Sequence, residues 1–80
     1  MKHTFRKFKY NLYGVEIGNP MTTWEDIFIS DRKMTEQEVL LEVSKKYLEK
    51  GYIVTQADFY RLDHVTIDLL TNEIEIKNMF

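Results

Sequence analysis

The segment from Met34 to Tyr52, MTEQEVLLEVSKKYLEKGY, carries both the start and the stop signals of an α-helix, and it constrains the fold more than any other stretch. Thr35 suits the N-cap because its hydroxyl can accept a hydrogen bond from a free amide of the first turn. Glu38 is placed to complete a capping box with it. Gly51 can adopt the left-handed backbone that ends many helices. The sequence therefore predicts one helix over residues 35–50.

Apolar side chains recur along one side of this helix at the spacing of helical turns. They are Leu40, Val43, Tyr47 and Leu48, with Leu41 at the edge of the stripe. A single apolar stripe must be buried against another element, so we expect it to lie on one face of a β-sheet.

Strand patterns precede the helix. Residues 4–17 are rich in aromatic and β-branched types, and their alternation changes phase between Leu12 and Tyr13, which predicts a bulge or bend beside Gly14. This segment is one long bent strand or two short ones. The Gly18-Asn19-Pro20 cluster predicts a turn. Residues 23–30 alternate again and predict another strand, with a short helix as the alternative.

Strand patterns also follow the helix. Residues 52–55 predict a buried strand, whereas residues 56–63 are ambiguous. A turn at residues 71–72 would pair Leu69 with Ile74 and Ile67 with Ile76, so that one face of the hairpin is apolar. We expect the helix to cover that face. The opposite face, which we expect to meet solvent, receives His64, Thr66, Asp68, Glu73 and Glu75.

The predicted order of elements is β-β-α-β-β-β. The predicted fold class is α+β, with a single helix packed on one face of a four- to five-stranded, mainly antiparallel sheet, and residues 1–80 forming a single compact domain. Hydrophobic residues make up 44% of the chain and charged residues 30%, which is typical of a folded globular protein.

Side chains suited to catalysis are sparse. The chain has no cysteine, which excludes disulfides, thiolate metal sites and cysteine nucleophiles, and its three glycines are isolated, so no phosphate-binding loop is present. His64 and Asp68 share a strand face but match no known ligand spacing. We therefore expect no enzymatic activity, no cofactor and no metal. The absence of cysteine and of long apolar runs favours a cytoplasmic protein without a membrane partner.

The charge distribution provides one functional hypothesis. Residues 1–20 have a net charge of 4 − 1 = +3, and residues 21–80 have 7 − 12 = −5. Basic and aromatic side chains interleave near the N-terminus, a pattern that can bind phosphates and stack bases. These residues are Lys2, Arg6, Lys7, Phe8, Lys9 and Tyr10. The favoured interpretation is an edge strand whose lysines oppose aggregation and whose rings fill the core, so nucleic-acid binding is the alternative function.

The favoured function is non-catalytic binding of another protein, because large apolar groups and sheet edges are abundant for a chain of this size. By analogy alone, such a small protein suits an accessory or inhibitory role of the kind that phages and mobile elements encode. The candidate binding residues are Tyr13, Trp24, Glu38, Leu41, Glu42 and Tyr60. A homodimer through an exposed edge strand is a further prediction.

Overall fold

The computed structural model describes residues 2–78 and arranges them as one antiparallel sheet with one helix. The elements are β1 (Lys2–Glu16), β2 (Asn19–Ser30), α1 (Glu36–Glu49), β3 (Tyr52–Asp68) and β4 (Glu73–Asn78). The strands lie in the order β2-β1-β3-β4, and all neighbours are antiparallel. The α+β class is confirmed. The predicted order was wrong, because the described residues contain two strands after the helix and not three.

The ambiguous segment 56–63 is the middle of one 17-residue strand, β3. Thr55 and Tyr60 are extra residues in β3 where it pairs with β1, so each forms a bulge. The β3 residues opposite the helix-side residues of β1 are therefore spaced by three, two and three positions. They are Val54, Ala57, Phe59 and Leu62. This uneven spacing explains why the segment shows no two-residue alternation.

The capped helix is confirmed. The Thr35 hydroxyl accepts a hydrogen bond from the Glu38 amide at 3.2 Å, and the Glu38 carboxylate accepts one from the Thr35 amide at 3.1 Å. Gly51 ends the helix with a φ of 94°. The buried stripe consists of Val39, Val43 and Tyr47. The prediction for Leu48 was wrong, since its side chain is 55% exposed; the helix contacts the sheet along a narrower line than the sequence pattern indicated.

The first two strands form a long hairpin. β1 continues without a break through Leu12 and Tyr13; the register shift beside Gly14 is real, but the extra residue that causes it lies in β3. The turn occupies residues 17–18, and Asn19 and Pro20 already belong to β2. Proline is tolerated there because β2 is an edge strand. The strand prediction for residues 23–30 is confirmed, and the alternative of a short helix is excluded.

The last hairpin has a longer loop than predicted. Ile67 lies opposite Ile74, and Val65 lies opposite Ile76, so the loop spans residues 69–72. Asn72 supplies the left-handed residue, with a φ of 57°. The pairing is shifted by two residues from the predicted register. A shift of two keeps the same side chains on the same face.

The apolar side of the last hairpin was predicted to lie under the helix, and this prediction was wrong. Tyr10 and Leu12 mark the helix side of β1, and by register His64 shares that side whereas Val65 does not. The apolar side of the β3–β4 hairpin therefore lies on the helix-free face of the sheet. The bulge at Tyr60 causes this, because one extra residue moves every later side chain of β3 to the opposite face.

The core lies between α1 and the end of the sheet at which β2 pairs with β1. Its buried members are Tyr10, Leu12, Met34, Val39, Val43, Tyr47 and Ala57. Trp24 closes one end, with its ring stacked on Tyr47 at 4.9 Å and edge-on to Tyr52 at 5.2 Å. The described chain extends over 52 Å in its longest direction. The core occupies only one half of this length, and the other half of the sheet has no helix over it.

Candidate functional site

The half of the sheet beyond the helix carries an uncovered apolar surface, which we call the distal patch. It is formed by β1, β3 and β4, whose cross-strand partners bring its members together. The patch consists of Phe5, Val65, Ile67, Ile74 and Ile76. Phe5, Ile74 and Ile76 are 46%, 66% and 65% exposed. Val65 and Ile67 are half-buried between them. Three exposed and two half-buried apolar side chains side by side in a protein of this size indicate a contact surface.

The distal patch follows from local sequence. Val65 and Ile67 alternate with polar residues in β3, and Ile74 and Ile76 alternate with glutamates in β4. In an antiparallel pair, side chains directly opposite each other share a face, so Phe5, Val65 and Ile76 form one row across three strands. The other face of the same strands is polar, and Thr4 and Thr66 hydrogen-bond across it at 3.2 Å.

A basic cluster borders the distal patch. Asp63 is 2% exposed and lies between two cations, with the Lys9 ammonium at 2.9 Å and the Arg61 Nε at 3.2 Å. The Arg61 contact is an ion pair that is not aligned as a hydrogen bond. Lys7 lies opposite Asp63 on the same face. One carboxylate therefore faces three cations, and the patch has a positive border on this side.

The predicted nucleic-acid residues are divided between the two faces. Tyr10 is 2% exposed, Phe8 packs against the core, and Lys9 is held by Asp63. Lys2 and Arg6 are exposed on the helix side of the sheet, whereas Lys7 lies on the other side. The two aromatic rings that could stack bases, those of Phe8 and Tyr10, therefore pack against or within the core. Nucleic-acid binding stays a prediction, with only separated cations to support it.

The six predicted protein-binding residues do not form one surface. Trp24 is half-buried in the aromatic stack, and Glu38 holds the helix cap while pairing with Arg32 at 3.1 Å. Leu41 and Tyr60 are 76% and 51% exposed. The two remaining candidates are half-buried Tyr13, on the helix-free face, and exposed Glu42, on α1.

The members of the distal patch were not predicted as site residues. Their alternation is visible in the sequence, but alternation states only that they share a face. Assigning that face requires the pairing of β3 with β1 and the bulge at Tyr60. No sequence signal marks this bulge, because Tyr60 is neither glycine nor asparagine and its neighbours have no regular period.

A shallow groove of about 420 Å³ separates the edge strand β2 from α1. Asp26 links the two elements beside it: the Tyr47 hydroxyl donates to Asp26 Oδ2, and the Ile27 amide donates to Asp26 Oδ1 at 2.8 Å. The hydrogen bonds from Tyr47 and then from Ile27 lower the pKa of Asp26. Burial, and then the bond to Asp26, raise the pKa of Tyr47 to about 12.

The Tyr47–Asp26 hydrogen bond predicts a stability change at alkaline pH. The pKa of Tyr47 is higher in the folded protein than its ordinary value of 10, so this stabilisation is complete below pH 10 and is lost as pH rises through about 12. Tyr47→Phe should lower the free energy of unfolding by about 1 kcal/mol at pH 8. The difference from wild type should shrink between pH 10 and 12.

Urea unfolding from pH 8 to 12 measures this difference. Tyr60→Phe is the matched control, because its ring is exposed and its curve should follow that of wild type throughout. A gap between wild type and Tyr47→Phe that stays constant to pH 12 would contradict the assignment.

The described residues show neither a metal-binding cluster nor a membrane-spanning helix. Within residues 2–78, no group of three or more His, Cys, Asp or Glu side chains is arranged to hold a metal ion. In the same range, no helix has the length and apolar character needed to cross a membrane. The chain matches no known family model, no curated protein sequence and no solved structure.

Proposed function

We propose that this protein acts by non-catalytic binding to another protein chain, and that the distal patch is the contact surface. The observation that supports the proposal is the exposure of Ile74 and Ile76 beside Phe5 on a face formed by three strands. Strands with one apolar and one polar face normally bury the apolar one. We expect a protein partner to cover this exposed apolar face.

The geometry of the patch favours a protein over a small ligand. The patch lies on the surface of a sheet and extends across three strands, whereas small-molecule sites are concave and enclose most of their ligand. Its apolar centre has a charged border at Lys7, Lys9 and Arg61. An apolar centre with a polar rim is the usual anatomy of a protein interface. An accessory or modulating role requires no more than such a surface.

Site-specific photo-crosslinking in the native host tests this proposal. p-Benzoylphenylalanine in place of Ile74 should give a protein adduct under ultraviolet light, which mass spectrometry then identifies. The same residue in place of Leu41, which is 76% exposed on the helix, and in place of Glu75, on the polar face of β4, provides two controls. We expect at least about tenfold more adduct at position 74. Equal labelling at the three positions, or none at 74, would refute the distal patch as the contact surface.

A further inference from the structure

We infer that the free edge of β2 between Ile27 and Ser30 is a second binding site, which takes an extended segment of a partner protein as an added strand of the sheet. The site lies beside the groove between β2 and α1 and is separate from the distal patch. Recognition is by strand addition, in which backbone hydrogen bonds supply affinity and alternate side chains supply specificity.

The backbone groups of β2 that point away from the sheet can be identified from the pairing of β1. The Tyr13 carbonyl accepts a hydrogen bond from the Thr55 hydroxyl of β3 at 3.3 Å, so Tyr13 directs its backbone groups toward β3. This direction alternates along a strand, so the even-numbered residues of β1 bond to β2. Their partners in β2 are also even-numbered. The outward backbone groups of β2 therefore belong to odd-numbered residues, among them Ile27 and Ile29.

Asp26 defines the start of the free edge. The Ile27 amide donates to Asp26 Oδ1 at 2.8 Å, which agrees with an outward direction and makes this amide unavailable to a partner strand. The Tyr47 hydroxyl holds the same carboxylate through Oδ2. The next outward groups are the Ile27 carbonyl and the amide and carbonyl of Ile29. Because β2 is an edge strand, no strand within the described chain lies opposite these three groups.

The outward groups determine what kind of ligand fits. Another extended chain matches them, because its own amides and carbonyls repeat at the same spacing. Its side chains lie alternately on the two faces of the sheet. On the helix-free face they meet Ile27 and Ile29, which are 55% and 53% exposed. On the other face they enter the groove of about 420 Å³, whose lining includes Phe28, Val43 and Tyr47.

Charges at the two ends of the free edge add to this description of the ligand. Exposed Glu25 precedes the edge, whereas Lys7 lines the far end of the groove and forms no ion pair within the described part of the chain. The other charged side chains that line the groove are two acidic and two basic ones, Asp31, Glu42, Arg32 and Lys46. A segment that runs antiparallel to β2 therefore fits best with an acidic residue at its N-terminal end and a basic residue at its C-terminal end.

Peptide selection followed by binding measurements tests the inference. A random dodecapeptide library displayed on phage is selected on wild-type protein, after removal of the phage that bind an Ile29→Pro variant. Proline at position 29 removes the outward amide and preserves the sheet, because proline is tolerated where the amide bonds to no neighbouring strand. We expect the enriched peptides to have apolar residues at every second position. Their dissociation constant should be at least about tenfold higher for Ile29→Pro.

Thr23→Pro is the matched control. Its amide also points outward, but it lies about 20 Å along β2 from position 29, so the dissociation constant should stay within about twofold of wild type. Circular dichroism should show that both proline variants are folded. Hydrogen exchange on wild-type protein needs no variant. A selected synthetic peptide should slow exchange of the Ile29 amide at least about tenfold and change the Ile27 amide, which Asp26 already holds, much less.

Three results would overturn this site: no enrichment of phage that distinguish wild type from Ile29→Pro, equal affinity of the synthetic peptides for the two proteins, or an Ile29 amide whose exchange the peptide does not change. Concentration-dependent protection of that amide without peptide would overturn it as well, since a second copy of the chain would then occupy the edge. Neither proline alters the distal patch, so all four results leave the Ile74 photo-crosslink, and with it the proposed function, standing.

Discussion

Gly14→Ala is expected to lower the free energy of unfolding by about 3 kcal/mol or more, since overpacking a tight site typically costs about 1–3 kcal/mol and a backbone overlap exceeds that range. A Cβ at position 14 would lie 2.2 Å from the Ile53 carbonyl oxygen and 2.9 Å from the Trp24 ring. The carbonyl belongs to the neighbouring strand and cannot move without disturbing its pairing. The midpoint of thermal unfolding should fall by more than about 10 °C.

The control for this prediction is the same substitution at Gly18. That residue has a φ of 81° but no atom within 4 Å of its Cβ position. Gly18→Ala should therefore cost only the backbone strain, about 1–2 kcal/mol. Trimming the ring in a Gly14→Ala, Trp24→Leu double variant should give no rescue, because the carbonyl overlap remains. If the midpoint of thermal unfolding of Gly14→Ala were equal to or higher than that of Gly18→Ala, position 14 would have room for a methyl group.

Tyr10→Phe is expected to cost about 2–3 kcal/mol, because it leaves two buried backbone groups without a partner. The Tyr10 hydroxyl accepts a hydrogen bond from the Met34 amide at 2.7 Å and donates one to the Met34 carbonyl at 3.0 Å. These bonds attach the segment before the helix to the centre of the sheet. Tyr10 is 2% exposed and Met34 7% exposed, so water does not replace the hydroxyl without a rearrangement.

Urea unfolding monitored by circular dichroism measures this loss, and hydrogen exchange should show faster exchange of the Met34 amide. Tyr60→Phe makes the same chemical change on a ring that is 51% exposed, so its effect should stay within about 0.5 kcal/mol. If both variants unfolded at the same urea concentration, the hydrogen bonds between Tyr10 and Met34 would not contribute to stability.

Local signals in the sequence predicted the local structure well. Thr35, Glu38 and Gly51 define the two ends of α1 because capping depends on residues within a few positions of each other. The alternation in residues 23–30 and in the last hairpin identified strands for the same reason. Residues 56–63 could not be assigned from the sequence, because bulges at Thr55 and Tyr60 remove the two-residue period. A bulge is set by pairing with another strand, which the local sequence does not show.

The candidate site was not predictable to the same extent. The sequence indicated that Ile67, Ile74 and Ile76 share a face, and it was right. It placed that face under the helix, and there it was wrong. Trp24, a predicted protein-binding residue, packs against the core in the structure, whereas Tyr10 is buried in the core, as the favoured interpretation of the N-terminal strand expected.

The sequence by itself determined the position of the helix and its two caps, the strand character of most other segments, the hairpin turns to within two residues, and the α+β class. Each depends on side chains close together along the chain. Only the tertiary structure decided which face of the sheet the helix covers. That choice depends on the register of β3 against β1, and a single extra residue at Tyr60 reverses it. The distal patch exists because the helix covers one half of the sheet, while the bulge directs the apolar side of the other half away from the helix.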